Sequence, residues 1–220
     1  MSRSVSYTLV KRLNVRICST VRHTEEVKVD VYTLNGEKMT WRAATQPVGT
    51  ALRIAPGFTA RAFDVAPGLD AQLEANYSAD DGRYLITKFE LVADGGEITH
   101  RALRLVSIES IMRAAAPHCI ALSLDDGPPN MTAHELTTTE GRILPAWLAA
   151  QVVARGNRDE RMEAIELLYG IAALSGNPPV QAIQQELGIP HRTASDWTKK
   201  ARAEGRLAGM SYIVGRQADG

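Results

Sequence analysis

The 220-residue sequence lacks several features that would indicate a particular class of protein. Its two cysteines, Cys18 and Cys119, stand far apart, so neither a disulfide framework nor a zinc ribbon is predicted. No apolar run approaches the ~20 residues that a membrane helix requires. The N-terminus also lacks the apolar core and the cleavage site of a secretory signal. We therefore expect a cytoplasmic protein that has no membrane partner.

Signatures of catalysis are missing as well. The sequence contains no GxSxG elbow, no GxxxxGK[ST] phosphate loop and no GxGxxG after a strand. The five histidines are scattered, and His118 and Cys119, being adjacent, are poorly placed to bind one metal together. The acidic pairs Asp80-Asp81 and Asp125-Asp126 stand beside glycine and are typical of turns. We expect no catalytic residue, no metal, no cofactor and hence no enzyme.

Net charge is zero, so global charge does not indicate a nucleic-acid partner, but its local distribution is uneven. From Arg155 to Pro190 there are three arginines and five acidic residues, a net charge of −2. From His191 to Arg206 there are five basic residues and two acidic ones, a net charge of +3. The positive charge is thus concentrated in one short segment, where it could face a polyanion.

Two short helices are predicted around Gly188. Before it, Val180, Ile183 and Leu187 recur at three- and four-residue spacing and form one apolar face. Gly188 followed by Pro190 ends the first helix, because glycine accepts the left-handed conformation and proline cannot extend a helix. In the second helix, the apolar face is formed by Ala194, Trp197 and Ala201. The opposite face carries Arg192, Ser195, Asp196 and Lys199, with His191 at the N-terminal end and Lys200 and Arg202 at the flanks.

This pattern resembles the helix-turn-helix superfamily of DNA-binding proteins. Gly188 stands at the family's turn position, and its apolar positions are occupied by Ile183, Leu187, Ile189, Ala194 and Trp197. One departure is Gln184, where the family usually has a small residue; a long side chain there must turn outward or spread the two helices. The resemblance covers Arg158 to Gly209, and the C-terminal segment also resembles uncharacterised actinobacterial and phage proteins.

The resemblance implies a trihelical unit whose last helix, residues 191–204, reads the major groove of double-stranded DNA. The residues expected to contact DNA are His191, Arg192, Ser195, Asp196, Lys199, Lys200 and Arg202. Arg192 is the leading candidate for a base contact, because arginine can bond guanine at two atoms. The flanking cations are expected to contact phosphates. Trp197 is expected to anchor the helix, and Gly188 to have a positive φ.

The N-terminal half reads as β-rich. Hairpins are predicted at Asn35-Gly36 and between Tyr84–Val92 and Ile98–Val106, and a further turn at Pro67-Gly68. Ser107 is expected to cap a short helix that ends at Ala115. The fold class is therefore α+β, with a β-rich domain at 1–122, a linker at 123–141 and a helical domain at 142–220. In the helical domain, a core-facing stripe is predicted from Met162, Ile165, Leu168 and Ala172.

The leading function is a sequence-specific DNA-binding protein, a transcriptional regulator of bacterial or phage type. Its N-terminal domain is expected to dimerise, to bind a small ligand or to meet a protein partner. A homodimer is favoured because one helix-turn-helix offers limited specificity. The alternative is an adaptor or phage regulatory factor whose trihelical unit binds a protein. A recombinase or transposase is a third option, which no acidic-triad or serine-nucleophile pattern supports.

Overall fold

The computed structural model describes residues 27–94, 97–122, 129–154 and 158–212, and these residues form the α+β fold that the sequence predicts. The strands are β1 (Lys28–Tyr32), β2 (Gln46–Val48), β3 (Leu52–Ile54), β4 (Gly57–Ala66), β5 (Leu69–Ser78), β6 (Arg83–Ala93), β7 (Ile120–Leu122) and β8 (Met131–Thr132). The helices are α1 (His100–Leu103), α2 (Ile108–Ala115), α3 (Ala133–Glu140), α4 (Ala146–Ala154), α5 (Arg158–Leu174), α6 (Pro179–Leu187) and α7 (His191–Ala203).

The larger of two antiparallel sheets has the strand order β1-β4-β5-β6. In β5, buried apolar residues alternate with half-buried polar ones, as expected for a strand with one covered face. The predicted turn at Pro67-Gly68 joins β4 to β5, with Gly68 at a φ of 71°. The Asn35-Gly36 turn also forms, but the chain beyond it makes a single bridge to β1, between Tyr32 and Lys38.

The predicted hairpin after β6 is wrong in its second arm. Residues 100–103 are helical, because the side chain of Thr99 accepts a hydrogen bond from the Ala102 N–H and caps a helical turn. The helix predicted after Ser107 is confirmed as α2, and the Ser107 hydroxyl accepts a hydrogen bond from the Ser110 N–H at 3.2 Å.

The second sheet has the order β2-β3-β7-β8 and continues into the predicted linker. Residues 123–128 of that linker lie outside the described residues, but the remainder forms β8 and α3. Thr132 and Glu135 form a reciprocal capping box that starts α3, which explains a helix in a segment whose composition favours a loop. The division into two domains stays a prediction, since the hydrophobic core is continuous from Val31 to Met210.

Helix α5 lies between the sheets and the C-terminal helices. The predicted stripe of α5 is buried, but so is every residue from Ala164 to Leu174. On the sheet side, the Glu166 carboxyl group accepts hydrogen bonds from the Thr50 N–H and, at 2.9 Å, from the Thr50 hydroxyl. On the other side, α5 packs against α6 and α7. A helical segment that is buried on all its faces, as α5 is from Ala164 onward, packs against two layers at once.

The chain beyond α7 returns to the larger sheet. Met210 is buried, the Tyr77 hydroxyl donates to the Gly209 carbonyl at 2.6 Å, and the Ser211 N–H donates to the Gly82 carbonyl at 2.9 Å. The end of α7 is thereby fixed to the N-terminal half.

Candidate nucleic-acid interface

The turn between α6 and α7 has the geometry that the sequence predicts. Gly188 has a φ of 63°, which confirms its predicted left-handed conformation. The Gly188 N–H bonds the Gln184 carbonyl, and the Ile189 N–H donates to the same oxygen at 3.3 Å. The Gln184 side chain itself is half-buried. Helix α7 begins directly after Pro190, so three residues separate the two helices.

The inner face of the two helices is apolar and buried. The buried residues predicted for it are Ile183, Leu187, Ile189, Ala194 and Ala201. Thr198, which is not among the predicted apolar positions, is also buried, and its hydroxyl donates to the Ala194 carbonyl at 2.8 Å. Its spacing of four residues from Ala194 and three from Ala201 was the signal that places it there.

Trp197 lies at the edge of this inner face. It is half-buried and packs against the core, while the Arg161 guanidinium lies 4.7 Å from its ring centroid. This contact is within the range of a cation–π interaction. Trp197 therefore joins α7 to α5, as expected of an anchor, but from the rim of the interface and not from its centre.

The outer face of α7 brings most of the predicted DNA-contacting residues together. His191, Arg192, Asp196, Lys199 and Lys200 are exposed, and Ser195 is half-buried. Within the described part of the chain, no side chain of these six forms a hydrogen bond or an ion pair. Even Asp196, one helical turn from both Arg192 and Lys200, is paired with neither. Three unpaired cations and one unpaired carboxylate thus share this surface, which we call the α7 outer face.

Arg202 differs from the other predicted contacts. One of its guanidinium nitrogens donates to the hydroxyl of buried Tyr169 at 2.9 Å, and the guanidinium carbon lies 5.8 Å from the Tyr169 ring centroid. Arg202 therefore holds α7 against α5. Its role as a phosphate contact stays a prediction, and only the guanidinium donors that Tyr169 does not use are left for it.

Arg206 and Glu204 belong to an ion-pair network at the C-terminal end of α7. The Glu204 carboxylate is 3.2 Å from Arg158 Nε and 3.4 Å from Arg206 Nε, and Arg206 also approaches Asp159 at 3.5 Å. The hydrogen bond from Arg158 lowers the pKa of Glu204 below its ordinary value. Of the five basic residues counted from His191 to Arg206, only Arg192, Lys199 and Lys200 are uncommitted.

The N-terminus of α7 adds a second source of positive potential. Its N-cap residue, Pro190, supplies no side-chain hydrogen bond, so the first N–H groups of the helix are uncapped. These groups and the helix dipole favour negative charge in their vicinity. Exposed His191 and Arg192 lie at this end of the helix. An anion that approaches the first turn would therefore meet backbone and side-chain donors together.

The histidines of the described ranges are not grouped as metal ligands. Across the described ranges, no group of three or more histidine, cysteine or acidic residues could hold a metal ion. His118 instead stacks on His134, with ring centroids 3.6 Å apart. Burial, with a smaller contribution from His134, lowers the pKa of His118 to about 4 from an ordinary value of 6.5. The folded chain therefore favours the neutral imidazole.

We expect this histidine to make the fold sensitive to acid. The unfolded chain binds a proton near pH 6.5 and the folded chain near pH 4, so stability is full above pH 6.5 and falls between these values. After allowance for solvent screening of a half-buried ring, the loss is about 1–2 kcal/mol. Urea unfolding at pH 7 and at pH 4.5 measures it. Between these two pH values, the free energy of unfolding of His118→Gln should fall by about 1–2 kcal/mol less than that of the wild type. The control His100→Gln, which changes an exposed histidine, should lose as much as the wild type. An equal loss in all three proteins would contradict this.

Comparison with known proteins does not identify the chain, since no family model, no curated protein and no solved structure matches it. The helices of the described ranges include none that is long and apolar enough to cross a bilayer. What the chain does must therefore be inferred from its own residues.

Proposed function

We propose that the chain is a sequence-specific double-stranded DNA-binding protein of the cytoplasm, a transcriptional regulator without enzymatic activity or cofactor. The observation that carries this proposal is the α7 outer face. There, Arg192, Lys199 and Lys200 are exposed and unpaired, although Arg158 of α5 is held in an ion pair and Arg202 of α7 in a hydrogen bond. Uncommitted cations on a helix fixed from behind are suited to release counterions from a phosphate backbone.

The positions along α7 suggest a division of roles. Arg192 lies in the first turn, the part of a recognition helix that usually approaches base edges. His191 and Ser195 are the next candidates for base contacts. Asp196 can accept from a cytosine amino group, or it can repel phosphates and so fix the register. Lys199 and Lys200 lie about two turns beyond Arg192 and are assigned to phosphates.

Selection of bound fragments from random duplex DNA tests the proposal directly. We expect the wild type to select one motif and Arg192→Ala to lose preference at one or two positions of it. A bidentate arginine–guanine contact contributes about 1–3 kcal/mol of discrimination. Arg61→Ala, which removes an exposed arginine from β4, is the matched control and should select the wild-type motif. Equal weakening on all sequences would assign Arg192 to phosphate, and the absence of any duplex binding would reject the function.

A homodimer is part of this proposal. Helix α4 exposes Trp147, 68% accessible, and Val153. Trp147 borders an apolar groove of about 600 Å³ that is also lined by Met131, Leu136, Pro145 and Ala146. Aromatic residues are enriched at protein interfaces, and a symmetric pair would present two recognition helices. The selection from random duplex DNA also tests for the homodimer. A dimer would enrich an inverted repeat whose half-sites lie about 34 Å apart or a multiple of that distance.

The second candidate function, a protein-interaction adaptor, is favoured by the same exposed Trp147. In this reading the groove beside α4 receives a different protein, and the α7 outer face is a solvated surface. The two functions differ in whether the chain binds duplex DNA with an affinity that falls as salt concentration rises. An adaptor would show no saturable duplex binding at low salt and would select no motif.

A further inference from the structure

A cleft of about 390 Å³ lies between β6, α2 and the end of α5. Its floor and walls come from parts of the chain that are distant in sequence. Its lining includes Arg83, Ile86, Ile108, Glu109, Met112 and Ser175. The volume falls within the range of small-molecule sites in proteins.

The cleft has an apolar wall that is open to solvent. Ile86 on β6 is 40% accessible and Ile108 on α2 is 38% accessible, and Met112 lies half-buried beside them. Apolar side chains from two elements thus face the same space. A ligand with an apolar body would remove them from water, at about 25 cal/mol for each Å² covered.

The cleft also has polar groups without partners. Arg83 Nε and Ser175 Oγ are both buried, and neither has a hydrogen-bond partner among the described residues. Ser175 as a whole is only 2% accessible. Buried polar atoms are nearly always hydrogen-bonded, and an unsatisfied one is costly. Two such atoms on one cleft indicate that it receives a group which can accept hydrogen bonds.

The balance of charge defines that group further. Glu109 also lines the cleft, but its carboxylate is paired with Arg113 one turn along α2. Arg113 in turn donates from Nε to the Gly176 carbonyl at 3.2 Å. The hydroxyl of Tyr84, another lining residue, is already donated to the Ala55 carbonyl at 2.7 Å. One positive charge, that of Arg83, therefore remains uncompensated.

We propose that this cleft binds a small monocarboxylate with an apolar body. The carboxylate accepts from Arg83 and from the Ser175 hydroxyl, while the apolar body covers Ile86, Ile108 and Met112. A monoanion fits better than a phosphate because the cleft offers a single uncompensated cation. This site goes beyond the proposed DNA-binding function and does not depend on it.

Methyl NMR of the full chain with labelled isoleucines tests the site without DNA. The probe is octanoate, compared with acetate, which lacks the apolar body, and with octan-1-ol, which lacks the charge. We expect octanoate to shift the Ile86 and Ile108 methyl signals saturably, with a Kd below about 1 mM. Acetate and octan-1-ol should each bind at least about tenfold more weakly. No saturable shift with octanoate, or equal binding of octan-1-ol, would overturn the proposal.

Two variants examine the charge. Arg83→Gln should weaken octanoate at least about tenfold and leave octan-1-ol unchanged, with exposed Arg61→Gln as the control. Because Arg83 is partly buried, a second variant uses a solvent-accessible position. Ile86→Asp places a negative charge at the cleft and should abolish octanoate shifts at Ile108, whereas Val92→Asp, 58% accessible on the same strand but outside the cleft, should not. Octanoate binding that survives both Arg83→Gln and Ile86→Asp would reject the site.

Discussion

A Lys199→Ala/Lys200→Ala variant is expected to bind duplex DNA about 60-fold more weakly than the wild type at ~0.1 M salt. Both lysines are exposed on the α7 outer face and form no ion pair within the described residues. Each phosphate contact contributes about 0.9 to the slope of log affinity against log salt concentration, so the double variant should flatten that slope by about 1.8. The selected motif should not change, because phosphate contacts carry no base information.

The control for this experiment has the same change in charge at another surface. Lys28→Ala/Lys38→Ala removes two exposed lysines, one from β1 and one from the turn that follows it. Titration of a fixed duplex over a range of salt concentrations compares the three proteins. If the control flattens the slope as much as the α7 variant does, the effect is one of net charge, and Lys199 and Lys200 are not phosphate contacts.

The other large effect is expected from Gly170→Val, which should lower the free energy of unfolding by roughly 3 kcal/mol or more. Gly170 lies within α5, where a Cβ atom would collide with the side chain of Leu52 and would lie 2.7 Å from Met210 Sδ. Leu52 and Met210 are both buried, so neither can move without disturbing its own neighbours. Glycine is therefore retained inside a helix, despite its low helix propensity, because it permits close approach of β3 and the C-terminal segment.

Gly188→Val is the matched comparison for this prediction. A Cβ atom at Gly188 would meet nothing within 4 Å, so its cost comes only from the positive φ, roughly 1–2 kcal/mol. Urea unfolding of the two variants separates crowding from backbone strain. Gly170→Val as stable as the wild type would show that α5 does not pack against Leu52 and Met210 in solution.

The elements that could be predicted are those whose signals are local. The left-handed Gly188 and the Ser107 cap depend on the chemistry of one or two residues, and both are confirmed. The β-strand predicted at Ile98–Val106 does not form, and the reason is again local. Its apolar residues do not alternate cleanly, and the Thr99 cap competes successfully with strand formation. The capping residues of α3, Thr132 and Glu135, are also visible in the sequence, although the composition of the segment around them favours a loop.

Much of the candidate surface was predictable, because helical periodicity decides which residues share a face. What periodicity does not show is which cations of that face are already engaged. Arg202 is bonded to Tyr169, 33 positions earlier in the sequence, and only the packing of α7 on α5 brings these two residues together. The cleft beside Arg83 was invisible for the same reason, since its walls come from four separated segments.

Helix α5 shows a third feature that could not be predicted from the sequence. Its sequence predicts one core-facing stripe, yet from Ala164 onward its other faces are buried as well. Glu166 obscures this fact, because a glutamate in a helix normally indicates a solvated face. Here its carboxyl group is fully buried against the turn between β2 and β3, where it accepts two hydrogen bonds from Thr50. The polar residue is a contact between layers, and only the tertiary structure distinguishes that role from exposure.

The position of α5 also determines how the molecule comes apart. Because strands cover one side of it and α6 and α7 the other, neither side can unfold without exposing apolar surface of α5 to water. Partial opening is therefore expensive, and loss of structure is expected to be cooperative. A copy that loses either side is therefore expected to unfold as a whole and to be removed by proteases, so that no folded C-terminal fragment accumulates.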